Sequence, residues 1–258
     1  MLLAIDIGNT NIILGVYDDH DKLKATWRIA TGVHRMADEY ALVMNDLFEL
    51  KGISRSDITE VVLCSVVPPL IGVMSDACKR YFKADVFTVE AGVKTGVRIC
   101  MDNPREVGTD RVVNAVAAHQ LYGGPIIVID LGTATTFDVV SAAGDYLGGA
   151  IAPGISIATE ALFSRTAALP RVDLVHPKRT IGTNTVTAMQ SGIVFGYVGL
   201  IENIVNRIQD ELGEKAQVVA TGGYSSLLAQ ETSAIQIVNP DLTLDGLRFI
   251  YRMNRKQD

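Results

Sequence analysis

The chain opens on an apolar run, Leu2-Leu3-Ala4-Ile5, which Asp6 interrupts before Ile7-Gly8-Asn9-Thr10-Asn11 leads into a second run, Ile12-Ile13-Leu14-Gly15-Val16. Two short apolar segments joined by a glycine and polar residues predict strand, turn, strand, that is, a β-hairpin. The same order returns in Val128-Ile129-Asp130-Leu131-Gly132-Thr133-Ala134-Thr135-Thr136-Phe137-Asp138-Val139-Val140. Asp6 matches Asp130 and Gly8 matches Gly132, both at a spacing of 124 residues. A second pair of β-branched runs, Val61-Val62-Leu63-Cys64-Ser65 and Val218-Val219-Ala220-Thr221-Gly222, repeats at a spacing of 157. The chain therefore reads as two similar halves, 1–123 and 124–258, the second carrying an insertion from about Pro153 to Asn184.

Helical spacing fills the intervals between these strands. Asp38-Glu39-Tyr40 opens a run that puts Leu42, Val43, Leu47 and Leu50 on one face and closes at Gly52. Val112 to Tyr122 is apolar on most sides and stops at Gly123-Gly124. Asn184 to Leu212 is long, with Val186, Met189, Ile193, Tyr197, Leu200, Ile204 and Ile208 at helical intervals. Hairpins followed by alternating helices and strands predict an α/β fold of two mixed-sheet domains facing a cleft. In the long helix Gly192, Gly196 and Gly199 fall close to one face. Each glycine costs a helix interior about 1 kcal/mol, so they imply close packing, either on the protein's own sheet or on a second subunit.

Composition narrows the function classes. The chain has 258 residues, 48% apolar and 20% charged, with a net charge of −6, a globular profile that disfavours nucleic acid as a partner. The basic cluster Arg252, Arg255 and Lys256 reads as a solvated tail. Cys64, Cys78 and Cys100 are scattered, as expected of a reducing compartment. The N-terminus lacks a basic n-region and no stretch approaches the roughly 20 apolar residues of a membrane span, so the cytoplasm is expected. His20, His34, His119 and His176 lie far apart, without ligand spacing.

Asp6-Ile7-Gly8-Asn9-Thr10-Asn11 has the parts of a phosphate site: a strand-end carboxylate for Mg²⁺, a glycine that admits phosphate to the backbone, and donors beyond it. An ordinary polar turn would use the same residues, but two copies favour function. Thr221-Gly222-Gly223-Tyr224 before Ser225-Ser226-Leu227-Leu228 is either a tight strand-to-helix turn or a helix start against which a nucleotide lies. Asp110, in Gly108-Thr109-Asp110-Arg111, either stabilises a helix start or takes a proton from a substrate hydroxyl, with Arg111 placed to clamp a carboxylate. P-loop, dinucleotide-binding, zinc-protease and serine-hydrolase motifs are absent from the sequence.

Taken in order, D-I-G-N-T-N, N-P-R-E-V-G-T-D-R, D-L-G-T-A-T-T, G-G-A-I-A-P-G (Gly148 to Gly154), S-R-T-A-A-L-P-R (Ser164 to Arg171), N-T-V-T-A-M-Q-S-G (Asn184 to Gly192) and A-T-G-G-Y resemble the type III pantothenate kinases end to end. The resemblance implies a duplicated ribonuclease H-like (actin-like ATPase) fold and ATP-dependent phosphorylation of pantothenate in coenzyme A biosynthesis. It implies that Asp6, Ile7, Gly8, Asn9, Thr10, Asn11, Ile12 and Ile13 cradle ATP and Mg²⁺, and that Thr133 contacts ATP. Asp110 would be the general base. Gly108, Thr109, Asp110 and Arg111 would hold pantothenate, with Met101 where related sequences often carry an aromatic residue. Asp130 would bind a monovalent cation, K⁺ or NH₄⁺. Thr185 would reach pantothenate from the partner subunit of a homodimer. D-x-G-x-T alone is shared with other actin-like kinases, polyphosphatases and nucleotide-binding regulators, which stand as alternatives.

Overall fold

The computed structural model describes residues 1–255. The first sheet is built from β1 (Leu2–Ile7), β2 (Asn11–Tyr17), β3 (Leu23–Ala30), β4 (Glu60–Ser65) and β5 (Asp85–Thr88), in the order β3-β2-β1-β4-β5. The second uses β6 (Ile126–Leu131), β7 (Ala134–Val140), β8 (Tyr146–Pro153), β9 (Gln217–Thr221) and β10 (Ile237–Val238), in the mirrored listing β10-β9-β6-β7-β8. In both, the central strand runs antiparallel to the next strand in sequence and parallel to the fourth. This is the ribonuclease H-like order, present twice.

The duplication extends to details that the sequence hides. Burial along β1 and β6 follows the same residue-by-residue pattern, and so it does along β2 and β7. A register irregularity falls between Val16 and Tyr17 and again between Val139 and Val140. The β2–β3 turn closes with Asp18 N–H donating to Lys22 O at 3.0 Å, and the β7–β8 turn with Ser141 N–H donating to Asp145 O at 2.9 Å. Asp21 and Gly144, at matching places, both have positive φ, 61° and 87°. The spacing is 124 up to Gly8 and Gly132 and 123 beyond them, because the second hairpin turn is one residue shorter. Gly8 N–H reaches Asn11 O at 2.9 Å, whereas Gly132 N–H reaches Ala134 O at 3.1 Å.

The helices are α1 (Ala37–Glu49), α2 (Pro68–Ala77), α3 (Thr109–Tyr122), α4 (Ile155–Ser164), α5 (Thr185–Leu212), α6 (Ser225–Leu228) and α7 (Leu242–Asn254). Helix α1 forms as expected but buries Ala37, Tyr40, Ala41, Met44 and Phe48, leaving Leu42 and Leu50 exposed. Aromatic area decides the face: Phe48 stacks against Trp27 and Phe82 with centroids 5.2 and 5.5 Å away. The insertion lies where the spacing places it, as α4 and an irregular stretch from 165 to 184. Gln190 Nε2 donates to Asp173 O (2.8 Å) and Ser191 Oγ to Thr180 O (2.6 Å), tying that stretch to α5.

Helix α5 is long and apolar enough to cross a membrane, against expectation, but 44% of its most apolar window is buried. Met189, Ile193, Val194, Tyr197, Val198, Ile201 and Val205 form the core of the second sheet's helical layer. Val186, expected on this face, is exposed. A Cβ added at Gly192, Gly196 or Gly199 would meet nothing within 4 Å, so these glycines do not pack on the chain's own sheet.

Two compact units result. One comprises Met1–Val97, Asn103–Ala117 and the chain from Leu242 onward; the other comprises Arg98–Asp102 and Ala118–Asp241. They differ from a division at 123/124 because α7 returns to the first sheet. There Leu244, Leu247 and Ile250 pack with Leu2, Ala4 and Val62. Arg252 and Arg255 are correspondingly not a solvated tail: they pair with Asp21 and Glu60, each at 2.8 Å. Lys256 lies outside the described residues.

Thr135 is wholly buried and its hydroxyl lacks a hydrogen-bond partner. A buried hydroxyl so placed costs about 1–3 kcal/mol. Thr135→Val keeps the shape and removes the polar atom, so it is expected to raise stability by about 1 kcal/mol in denaturant melts. A loss of stability would reveal a partner for the hydroxyl.

Candidate active site

The first unit holds Asp6 and Asp110 together. Asp6 is the penultimate residue of β1, whose other members are buried or nearly so, and it is half-buried at the strand's end. Across the parallel pair it faces Cys64, whose Sγ–H donates to Asp6 Oδ1 at 3.1 Å. Burial pushes the Asp6 carboxyl up to about 6; the Cys64 hydrogen bond opposes that rise and the negative charge of Asp110 adds to it. The charge of Asp110 thus reaches Asp6, and a divalent cation beside Asp6 would favour its ionised form. The donor set fits Mg²⁺ for this reason.

The turn after Asp6 exposes Asn9 and Thr10. It is braced from outside, with Thr31 Oγ1 donating to Gly8 O at 2.7 Å and Thr31 N–H to Thr10 O at 3.0 Å. Gly8, Asn11 and Ile13 are half-buried, while Ile7 and Ile12 are fully buried core residues whose side chains anchor the turn.

Asp110 sits in the first turn of α3 and is half-buried. Gly108 O accepts from the N–H groups of Arg111 (3.1 Å) and Val112 (3.3 Å), starting the helix. Asp110 Oδ1 accepts the Arg111 N–H at 2.8 Å. The carboxylate therefore does support the helix start, while its electrostatic reach to Asp6 gives it a place in the site. A Cβ at Gly108 would lie 2.6 Å from Asp110 Oδ1, so glycine is what lets the carboxylate stand there.

The second unit holds the other predicted residues. Asp130 is the penultimate residue of β6, half-buried, directly opposite Thr136 of β7 and Thr221 of β9. Thr133 is exposed at the hairpin tip. That tip rests on Gly154, where a Cβ would come within 2.0 Å of Thr133 O, which accounts for the glycine ending G-G-A-I-A-P-G. Met101 is half-buried, its Cγ 4.0 Å from where Gly148 would carry a side chain. Thr185 is exposed as the first residue of α5, beside Asn184, whose Oδ1 accepts Thr187 N–H at 2.9 Å. After Gly223, α6 spans four residues, Ser225–Leu228, too short for a useful dipole, which favours the tight strand-to-helix turn of the two readings.

The sequence pattern gives neither Cys64 nor Thr31 a place in the site. Cys64 was legible only as a small residue ending β4, and the strand register is what sets it against Asp6. Thr31 lies 23 residues from Gly8, with no local pattern connecting them.

Because the folded carboxyl of Asp6 titrates near 6 rather than 3.8, the native state retains a proton that the unfolded chain has lost between those values. The ligand-free protein therefore loses stability as pH rises through that window. Asp6→Asn is expected to melt higher than the parent above pH 6, by up to about 3 kcal/mol before solvent screening reduces it. The difference should shrink toward pH 4. A difference independent of pH would refute the burial account.

Residues 2–207 match the family model described as type III pantothenate kinase. The type III pantothenate kinase of Dehalococcoides mccartyi (strain CBDB1) is 53% identical over 254 residues, covering 98% of this chain and 96% of that protein. Among solved structures, a Baf family protein of Campylobacter jejuni superposes with a TM-score of 0.62 at 20% identity, covering 98% of both chains. The inorganic polyphosphate/ATP-glucomannokinase of Arthrobacter sp. strain KM does so at 0.51 and 15%, covering 98% of this chain and 99% of that one. At such identities the structures speak for the fold alone, and the sequence match carries the family. The chain belongs to the type III pantothenate kinase family, on the duplicated fold of actin-like ATPases and sugar kinases.

Proposed function

We propose that the chain transfers the γ-phosphoryl group of ATP to the hydroxyl of pantothenate, giving 4′-phosphopantothenate and ADP at the entry to coenzyme A biosynthesis. Family membership supports the reaction. The observation that carries the site reading is the electrostatic coupling of Asp6 and Asp110 within one unit.

Phosphoryl transfer needs little covalent help. It needs in-line positioning, charge neutralisation and a base. The divalent ion, when bound, neutralises phosphate oxygens. Asp6 holds it, while Asn9, Thr10 and the backbone from Ile7 to Ile13 donate to the phosphates. Thr133 contacts ATP. Asp110 takes the proton of the pantothenate hydroxyl as its oxygen bonds to the γ-phosphorus and the bond to the bridging oxygen breaks, releasing ADP. Gly108, Thr109, Arg111 and Met101 hold pantothenate, and Asp130 holds a monovalent cation, K⁺ or NH₄⁺. The unpacked faces of Gly192, Gly196 and Gly199 support a homodimer through α5, in which Thr185 reaches the partner's pantothenate. The acidic net charge and the buried face of α5 support a cytoplasmic enzyme without nucleic-acid or membrane partners.

ADP formation should depend on pantothenate; equal rates with and without it would indicate water as the acceptor. Asp110→Asn is expected to lower kcat by roughly 10²–10⁴ with little change in melting temperature, since Asn can still accept the Arg111 N–H. A near-normal kcat would leave Asp110 only its part in the helix start.

Shared sites can be tested by mixing two inactive proteins, Asp110→Asn and Thr185→Trp. Subunit exchange should create dimers with one intact site and restore part of the activity. A monomer by light scattering, or no recovery after demonstrated exchange, would exclude the shared site.

A further inference from the structure

Beside Asp130 lies a polar trio, Thr136 half-buried and Asp138 and Tyr146 buried, with no counterpart in the first unit. Thr136 and Asp138 alternate along β7, so they share the sheet face that carries Asp130; Thr136 stands directly opposite Asp130, and Asp138 opposite Val128. Asp138 is wholly buried, as is Tyr146. Asp138 Oδ1 accepts from the Tyr146 hydroxyl at 2.6 Å, and Oδ2 accepts from Thr136 Oγ1 at 2.9 Å.

The repeat gives the comparison. At the matching places of the first unit stand Ile13, Gly15 and Leu23, and a Cβ at Gly15 would lie 2.7 Å from Leu244 of α7. The strands therefore form without a polar trio. Burying a carboxylate is costly, so its presence only beside Asp130 calls for a reason specific to that site.

The direction of the Thr136 hydrogen bond supplies one. Thr136 Oγ1 is the donor to Asp138 Oδ2, so the Thr136 proton is committed to Asp138. Toward Asp130 the hydroxyl can then offer only lone pairs. Opposed residues on antiparallel strands have Cβ atoms about 4.5–5.5 Å apart. A carboxylate and a hydroxyl oxygen on opposed residues of one sheet face are a set that hard cations favour. We propose that Asp138, held by Tyr146, is a positioning residue that fixes the Thr136 hydroxyl as an oxygen ligand of the monovalent cation at Asp130. The inference rests on the reading of Asp130 as the site of that cation.

The test uses the full-length protein with ADP and Mg²⁺, melted over a KCl series balanced with LiCl to constant ionic strength, alongside the K⁺ dependence of the rate. The parent should show a saturable K⁺-dependent rise in melting temperature, and Asp130→Asn should abolish it. Asp138→Asn keeps an oxygen for Tyr146 but presents an N–H to Thr136, turning the hydroxyl proton toward Asp130. Its K⁺ midpoint should rise by roughly 10–100-fold. Thr136→Val should act alike, and Thr136→Ser should restore nearly the parent midpoint; these two decide the matter if Asp138→Asn does not fold. Parent-like midpoints in Asp138→Asn and Thr136→Val, with the response lost in Asp130→Asn, would overturn the positioning role and leave Asp130 as the cation site. No K⁺ response in the parent would overturn the Asp130 reading and this inference with it.

Discussion

A carboxylate at the end of a buried central strand is the constraint on which the rest depends. In β1 the side chains of Leu3, Ile5 and Ile7 are committed to the core on one face, and Leu2 and Ala4 to the core on the other. Asp6 follows in the alternation and cannot turn away without pulling the strand out of register. Its carboxyl is delivered to one place by the whole sheet, at the cost of being hard to ionise there. The Cys64 thiol offsets part of that cost, and a bound cation would offset the rest. A fold that makes a carboxylate hard to ionise in this way holds a charge that a cationic ligand would favour.

The second unit meets the same constraint with different chemistry. Its meander copies the first down to the strand irregularity and the left-handed turn residue. Yet the two sheet faces are covered differently. In the first unit the face bearing Asp6 is sealed by apolar residues of α3 and α7, and the added charge is Asp110. In the second the corresponding face carries Thr136, Asp138 and Tyr146. Duplication supplied two equivalent carboxylates and set them in unlike surroundings.

Several motif residues turn out to hold structure around the site. Gly154 lets the Thr133 tip lie against β8, and Gln190 and Ser191 pin the inserted stretch to α5. The two hydrogen bonds run from side chains to backbone carbonyls and are invisible as patterns because those carbonyls belong to no motif. They also explain why a motif at the start of a helix can matter for an insertion that ends before it.

The sequence by itself determined the two hairpins, the repeat, the place of the insertion, the extent of the long helix and both strand-end acids. Each of these is local: apolar alternation, a glycine and a polar turn suffice to specify them. Tertiary structure decided what depends on burial and register. It chose Tyr40 and Phe48 over Leu42 and Leu50 as the inner face of α1, since helical spacing permits either and aromatic packing favours one. It sent α7 back to the first sheet, where its apolar face finds a partner and its arginines find Asp21 and Glu60. It set Cys64 against Asp6, because parallel pairing joins residues 58 apart and no linear pattern records that distance.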